Sequence, residues 1–518
     1  MKTLADIWIR NRLYNADRLA LVYGDLRLTH RELASRALRL GNALASLGIR
    51  KNDRVAMLAM NNVEWMELYG ASHFFSFIVA TVNFRLAPPE IAHIIKDSSP
   101  KVLIFEDQYA GALEIIRSEL KSVEHFVCIG EECPEWATPY SMLVTGASDA
   151  LPARLPDPAD YSSLIYTSGT TGRPKGVLKT QYQNLVGYQR NVIVMGLTGS
   201  DRMLLTMPLF HIGATSLGFG AWCAGAAVVL HRQFSPEATL RTWHDERITS
   251  AHLAPTMLQL VIDQPDIDTY DLSAMRIINC AAAPMPVTLL RRCVDKFGRI
   301  FVNSYGATEA AGSILYAHQH HLTGTPAELR RLSSVGEPFP DAEIRIVDDN
   351  GNDLPQGQPG EILMRTPGMM EGYWNNHAAT VEAIRDGWYY SGDMGYFDED
   401  GFLFLVDRKK DMIVSGGENI YCREVEEAIL EHDGIADVAV IGVPDEKWGE
   451  AVKAIVILKP GISLGEQEII EFTTDRIARY KRPKSVAFVD ELPRLPSGKV
   501  SKVALRDAFR AVAGTSEN

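Results

Sequence analysis

Cysteine is scarce in this chain: 6 among 518 residues, at positions 128, 133, 223, 280, 293 and 422, with no Cys-x-x-Cys pair. That spacing argues against a zinc site and a disulfide scaffold, and for reduced thiols in a cytoplasmic protein. Net positive charge is lacking too. Lys and Arg number 52 against 65 Asp and Glu, a formal charge of −13. Such a surface disfavours nucleic acid and anionic membrane as partners, so any cluster of Lys and Arg needs a specific reason. The amino terminus, Met1-Lys-Thr-Leu-Ala-Asp6, has an early acid and no long apolar core, unlike a secretory signal. No internal repeat or low-complexity tract is present. One charge-free run, residues 212–230, reaches the length of a membrane span. It holds Gly213, Gly218, Gly220 and Gly225 with Thr and Ser, and reads better as a buried helix followed by a strand over 226–230. No membrane span is expected.

What is present is ample hydrophobic material, 46% of residues against 23% charged. A chain of this length with that balance predicts a large core and more than one domain. Thr29-His-Arg-Glu32 is a capping box opening a helix with Leu33, Ala37, Leu40 and Leu44 on one face. Strands at 55–60, 78–82 and 102–105 alternate with helices at 63–75 and 88–96. The alternation resumes at 204–207 (strand), 236–247 (helix, capped by Ser235), 250–253, 276–279, 287–297 (helix) and 300–303. Alternation of this kind predicts parallel α/β sheets. From about residue 334 come strands at 342–347, 361–365 and 402–406, a mostly antiparallel β section. Beyond Asp407-Arg-Lys-Lys-Asp411 follows a compact α+β unit of about a hundred residues. It has helices at 423–432 and 467–479 and strands at 438–443, 452–458 and 486–489. The expected fold is α/β: a large N-terminal domain, 1–408, and a small α+β C-terminal domain, 409–518, with the charge run between them as hinge.

Residues 164–177, Leu-Ile-Tyr-Thr-Ser-Gly-Thr-Thr-Gly-Arg-Pro-Lys-Gly-Val, turn abruptly from apolar to hydroxyls, glycines and cations. Residues 164–166 read as the end of a buried strand and 167–176 as a mobile loop. Thr167, Ser168, Thr170 and Thr171 offer hydroxyls, Gly169, Gly172 and Gly176 leave bare backbone, and Arg173 and Lys175 add positive charge. That chemistry suits a polyphosphate. The loop is not a Walker A, because Pro174 stands where its second Gly belongs and Gly176 where Ser or Thr belongs.

Other polar clusters follow predicted strands, where open α/β sheets bind ligands. Tyr305-Gly-Ala-Thr308-Glu309 offers a ring, a hydroxyl and a carboxylate. A carboxylate beside polyphosphate needs Mg²⁺ between them, which makes Glu309 a candidate metal ligand; a solvated Glu at a helix start is the alternative. Tyr390-Ser-Gly-Asp393 reads as a tight turn whose carboxylate accepts from two ribose hydroxyls. Ser415-Gly416-Gly417-Glu-Asn419 is a glycine turn where a narrow ligand arm could approach the backbone. Ser497-Gly-Lys499 puts a lysine on a loop.

In this order, the motifs resemble the adenylate-forming (AMP-binding) superfamily: acyl-CoA synthetases, adenylation domains of peptide synthetases and beetle luciferases. The resemblance runs over essentially the whole chain. Residues 167–176 match the family's phosphate loop, Tyr305–Glu309 its Y-G-x-T-E motif, Gly360-Glu-Ile with Gly372-Tyr373 a β-region motif, and Ser391-Gly-Asp393 its (T/S)-G-D. Arg408 matches the hinge-segment Arg and Lys499 the late catalytic Lys. The resemblance implies a ligase using ATP, Mg²⁺ and coenzyme A: a carboxylate attacks the α-phosphorus, pyrophosphate leaves, and a thiol then takes the acyl group. Catalysis of such steps is mostly positioning and charge neutralisation. By similarity, Thr167, Ser168, Gly169, Thr170, Thr171 and Lys175 hold the β- and γ-phosphates. Thr308 touches the α-phosphate and Glu309 holds the metal. Tyr305 packs on adenine beside Ala282, Ala283 and Pro284, and Asp393 and Arg408 bind ribose. Lys499 bridges carboxylate and adenylate. Lys410 is the hinge about which the C-terminal domain rotates, bringing Gly416 and Gly417 to the thiol tunnel. Trp448, Tyr480 and Arg482 match positions that contact the CoA nucleotide.

Pro208-Leu-Phe-His211-Ile-Gly-Ala214 resembles the family's acid-pocket segment, with His211 at its polar mouth gating the thiol. The implied lining is Tyr188, Met207, Ile212, Gly213, Ala282, Ala310 and Gly312. It is largely apolar, with no cation for a second carboxylate, so diacids are disfavoured. Gly213, Gly218 and Gly312 suggest room for a bulky or long group, fatty, aryl, phenylpropenoyl or sterol-derived. The competing readings are a stand-alone adenylation enzyme loading a carrier protein and a non-enzymatic adenylate-binding protein. No carrier domain follows Lys499, and joint retention of Lys175, Glu309, Asp393 and Lys499 argues against the second. Which acid is used is not legible, nor is oligomeric state, a homodimer being one option.

Overall fold

A computed structural model describes residues 1–167, 174–281, 283, 285–415, 418–445, 448–474, 476–494 and 499–513, with only the backbone for 418–419 and 510–513. The chain divides into two compact units, Met1–Ile344 with Met364–Tyr389, and Arg345–Leu363 with Tyr390–Asn518.

In the first unit two sheets organise the helices. One has the strand order Glu337–Pro338, Ala311–Leu315, Phe301–Gly306, Ile277–Cys280, Ser250–Leu253, Arg202–Leu205, Ala227–Leu230, Leu19–Tyr23, Leu26–Thr29. Its central pairs are parallel and its two ends antiparallel. The other runs Gly372–Tyr373, Lys175–Thr180, Tyr161–Thr167, Ile78–Val82, Arg54–Leu58, Val102–Glu106, His125–Ile129, Thr138–Pro139. Strand alternation decides which side each residue serves. Val55, Met57 and Val79 of one sheet and Leu21, Met203 and Leu205 of the other join one central apolar cluster. Helices His30–Ser46, Val63–Phe75 and Ile212–Ala224 supply much of the rest. Ala56, Leu58 and Ala80 turn to an outer cluster with helix Pro88–Ser98, and Leu204, Ala251 and Ile278 to another with helices Pro236–Asp245 and Val287–Phe297.

The local signals produce the expected elements. Thr29 accepts from the Glu32 N–H and Glu32 closes the capping box. Ser235 accepts from the Ala238 N–H with Pro236 at the first helical position. The charge-free run is the helix Ile212–Ala224, ended by Gly225 at φ +79, then the strand Ala227–Leu230. Among the described residues no helix is long and apolar enough to cross a membrane. The hairpin Leu19–Thr29, which completes the first sheet's edge, is an element the sequence reading lacked.

The second unit is α+β. Ile435–Asp445 and Gly449–Leu458 form a long antiparallel pair, and Ser485–Phe488 adds in parallel. Val438 and Val440 face helix Cys422–Leu430, while Ala439 and Ile441 face Leu505 of helix Lys502–Ala513. Two expectations are corrected here. The helix expected over 467–479 is Glu466–Phe472, because Thr473 turns its hydroxyl back on the Ile470 carbonyl (2.7 Å) and ends it. The C-terminal helix Lys502–Ala513 was not foreseen.

Candidate functional site

The phosphate-loop stretch is narrower than its composition suggested. Thr167 is the last residue of one strand and Lys175 the first of the next, and the two are register partners in an antiparallel pair. Tyr166 faces Gly176 one step further in. Residues 167, 175 and 176 therefore belong to a hairpin rather than to a loop, since each has a cross-strand partner. Ser168, Gly169, Thr170, Thr171, Gly172 and Arg173 lie outside the described residues.

Three side chains of the first unit meet at the hairpin's edge. Gly372–Tyr373 pairs with Val177 and Leu178, which seats the Tyr373 ring beside the hairpin. Lys175 Nζ stands 5.0 Å from the centre of that ring. The Tyr373 hydroxyl donates to Glu309 Oε1 at 2.7 Å. Burial first, then the adjacent Glu309 charge, pushes the Tyr373 hydroxyl's pKa well up, so it remains a donor. Glu309 is buried, and its backbone carbonyl accepts from Met370 N–H at 2.7 Å.

Glu309 is not at a helix start. Phe301–Gly306 continues as a strand through Tyr305 and turns back into Ala311–Leu315, with the Ala307 N–H donating to Ala310 O at 2.7 Å. Thr308 and Glu309 form the bend of that hairpin. Gly306 is needed there because a Cβ would lie 2.9 Å from Ala311 Cα. Tyr305 faces Gly312, whose Cβ would meet the Tyr305 ring at 3.0 Å and Met364 Sδ at 2.8 Å.

Among the described residues no group of three or more His, Cys, Asp or Glu is placed to hold a metal. One buried carboxylate in this setting suits Mg²⁺, which takes most of its oxygens from substrate phosphates and water. The donor set thus fits that ion and would not fit a protein-caged Zn²⁺ or Ca²⁺.

The residues expected to line the acid pocket come from several elements of the first unit, helix Ile212–Ala224 among them. His211 precedes it, ring-to-ring with Phe210 at 4.5 Å, and its carbonyl accepts from Thr215 N–H. Ile212 and Gly213 are its first two residues, half-buried. Tyr188 and Met207 are buried in the central cluster, Tyr188 stacked on Phe219 at 5.4 Å. Ala310 is fully buried, and Ala283 is exposed just past strand Ile277–Cys280. Ala282 and Pro284 lie outside the described residues. Gly213 and Gly218 turn toward the sheet that packs on this helix. A Cβ at Gly218 would meet Leu205 Cδ1 at 2.7 Å, and one at Gly213 would meet His252 Nε2 at 3.1 Å. They let helix and sheet approach closely.

In the second unit, Asp393 lies within the strand Trp388–Phe397 rather than in a tight turn. Gly392, at φ +70, kinks the strand locally, and the Ser391 hydroxyl accepts the Asp393 N–H at 3.0 Å. Asp393 pairs in register with Arg408, and their side chains form an ion pair of 2.9 Å. Lys410 follows in a turn where Asp411 N–H and Met412 N–H both donate to the Arg408 carbonyl. Burial pushes its amine pKa down. Trp448 is 43% exposed and Tyr480 44%, while Arg482 donates to the Thr474 carbonyl at 2.6 Å. Lys499 is exposed, one residue before the Arg494–Val500 bridge. Gly416 and Gly417 lie outside the described residues.

Two polar residues near these sites were not singled out from sequence. Lys179 is buried on the hairpin strand, donating to the Gly368 carbonyl at 2.8 Å. Burial, reinforced by Arg190 and opposed by Glu309, lowers its pKa to about 7. His252 lies in the middle of strand Ser250–Leu253, flanked by apolar residues that gave it no sequence signature.

Residues 10–374 match the model of the AMP-binding enzyme family, and residues 424–499 that of the AMP-binding enzyme C-terminal domain. A feruloyl-CoA synthase of Amycolatopsis sp is 37% identical over 505 residues, covering 97% of this chain and 98% of its own. An indoleacetate–CoA ligase of Aromatoleum aromaticum is 37% identical over 504 residues, covering 96% and 97%. Among solved structures, the anthranilate CoA ligase AuaEII in complex with anthranoyl-AMP gives a TM-score of 0.90 at 29% identity, over 99% of this chain and 98% of that one.

Proposed function

The chain belongs to the AMP-binding enzyme family and is an acid–thiol ligase, and we propose that its acid is an aryl or arylalkenoic one. The reaction runs in two steps. A carboxylate oxygen bonds to the α-phosphorus of ATP as the bond to pyrophosphate breaks, giving acyl-AMP. The thiol of coenzyme A then bonds to the acyl carbon and AMP leaves.

One observation carries the assignment of roles in the first unit: a cation and a buried carboxylate held to a single tyrosine. Lys175, at the hairpin end, is placed to meet phosphate oxygens, and Glu309 is the carboxylate that would hold Mg²⁺. The metal, when bound, neutralises phosphate charge. Tyr373 fixes Glu309 by donating to it, so the carboxylate does not swing toward Lys175. Thr167 and Thr308 add hydroxyls at the same strand ends, and His211 stands at the mouth of the acid site. In the second unit the Asp393–Arg408 pair forms a rigid polar ledge for ribose hydroxyls, and Lys499 supplies the charge that bridges carboxylate and adenylate. Trp448, Tyr480 and Arg482 offer two exposed rings and a guanidinium to the CoA nucleotide. We place the hinge at Lys410, between domains 1–408 and 409–518. The two family models leave residues 375–423 to neither, which agrees with a joint there. Six free cysteines agree with a reducing cytoplasmic setting.

The aryl preference is supported by relatives named for feruloyl and indoleacetyl groups at 37% identity. It is tested by ATP- and CoA-dependent pyrophosphate release over matched aryl, arylpropenoic and straight-chain acids. Aryl acids are expected to exceed straight-chain acids in kcat/KM by about tenfold or more. Equal or better turnover of straight-chain acids would refute the aryl assignment.

A further inference from the structure

One row of side chains crosses the first sheet beneath Gly213. Leu205, His252, Asn279 and Val302 are register neighbours on four adjacent strands. Ala251, Leu253, Ile278 and Cys280 fill the outer cluster, so alternation turns His252 and Asn279 to the inner face with Leu205 and Val302. Two polar side chains thus interrupt a hydrocarbon layer. His252 is 2% exposed, and its Nδ1 lies 3.2 Å from the Asn279 carbonyl oxygen. A carbonyl only accepts, so Nδ1 carries the proton and donates. Burial holds the imidazole neutral, with its pKa lowered to about 4. Nε2 is therefore an acceptor, and it points to the start of helix Ile212–Ala224, where a Gly213 Cβ would stand 3.1 Å away. Among the described residues no donor reaches it. Asn279 Oδ1 and Ser250 Oγ, on the same face, are buried without a hydrogen-bond partner. Buried polar groups are ordinarily satisfied, and two that are not, beside an imidazole nitrogen that can only accept, call for a donor from outside the chain.

We propose that His252, with Asn279 beside it, determines acid specificity by accepting a hydrogen bond from a donor on the substrate's aromatic ring, a phenolic hydroxyl or a ring N–H. The inference rests on the reading that the acid binds beside His211, Ile212 and Gly213. It adds the polar feature that an otherwise apolar lining lacks. Gly213 matters to this role, since a Cβ there would stand 3.1 Å from Nε2 and crowd it. An acid with a methyl group in place of the donor would fill the same space and leave the acceptors unpaired, the situation in which polar sites discriminate most strongly.

The test compares kcat/KM for 4-hydroxyphenylpropenoic acid with that for its 4-methyl analogue, in the full-length enzyme with ATP and CoA. The wild type is expected to favour the hydroxy acid by at least about tenfold. His252→Leu is expected to bring the ratio near one. Gly213→Ala, which keeps the imidazole but crowds Nε2 with a methyl, is expected to do the same. The ratio is the readout because a purely structural role for His252 would lower both rates together. Equal kcat/KM for the two acids in the wild type overturns the proposal, and so does an unchanged ratio in both variants. The wild-type ratio decides the matter even if His252→Leu does not fold. Turnover of both acids without preference removes only the role of His252. Failure to turn over any carboxylic acid removes the ligase reading as well.

Discussion

Charged and uncharged polar groups occupy different kinds of place in this molecule. Lys175 and Glu309 sit where strands end and turn back, and Asp393 and Arg408 at a kinked strand pair. His252, Asn279 and Ser250 sit within parallel strands on the face that the central apolar cluster covers. A charge needs water, a counter-ion or a charged ligand nearby, and an edge supplies these most readily. A neutral imidazole or amide tolerates the interior if one hydrogen bond is supplied. On the proposed roles, the edges handle the phosphates and the ribose, and the interior is left to choose the acid. Removing an edge group should cost rate and spare the fold. Removing an interior group should cost selectivity or change how stability depends on pH.

The sharpest test of the edge half is Lys499→Ala. Lys499 is exposed, so the fold should be unaffected and the melting temperature unchanged. Pyrophosphate release should fall roughly 10²–10³-fold, the loss typical of one well-placed charge contact at a transition state. Conversion of a supplied acyl-adenylate and CoA to thioester should persist. A comparable fall in both half-reactions would break the assignment.

This division also explains what could be read from sequence. The capping box Thr29–Glu32 and the Ser235–Pro236 start are local, and both formed as the sequence predicts. Helix Val63–Phe75 and strand Ser250–Leu253 were legible from their place in the alternation of helices and strands. Lys175 and Gly176 looked like loop because glycine and proline surround them, yet cross-strand partners at Thr167 and Tyr166 make them strand. Asp393 looked like a turn residue for the same reason, and pairing with Arg408 overrides it. Pairing is non-local, so no window around these residues contains it. His252 is the extreme case. Its chemistry is plain in the sequence, but its direction depends on which face of the strand the even residues take, and only register settles that.

For the interior half, His320 provides a control that is not among the proposed acid-site residues. It is fully buried, and both of its ring nitrogens lack hydrogen-bond partners. Burial, with smaller contributions from His318, His321 and Arg299, lowers its pKa to about 4. The unfolded chain then binds a proton near pH 6.5 that the folded chain refuses until about 4. Stability from this group is complete above 6.5 and is lost as pH falls from 6.5 toward 4, by about 3 kcal/mol. Urea unfolding at pH 7, 5.5 and 4.5 should show a shallower loss in His320→Leu than in the wild type. Equal slopes would mean that a buried neutral imidazole carries no such cost here.

Lys410→Pro probes the joint between the proposed domains. Its φ would be fixed within the turn where Asp411 and Met412 donate to Arg408. Thioester formation should fall about tenfold or more, with adenylation kept within about threefold. Equal losses in the two half-reactions would remove the hinge.

The smallest expected effect separates the two halves most cleanly. Tyr373→Phe keeps the ring beside Lys175 and deletes the hydroxyl that donates to Glu309. A hydrogen bond to a charged group is worth about 1.5 kcal/mol at the low end, so adenylation kcat/KM should drop about tenfold or less. The deleted group belongs to the phosphate edge, so both the 4-hydroxy and the 4-methyl acid should slow by the same factor and their ratio should not move. A changed ratio would mean that the edge also takes part in choosing the acid, and the separation of the two halves would fail at that point.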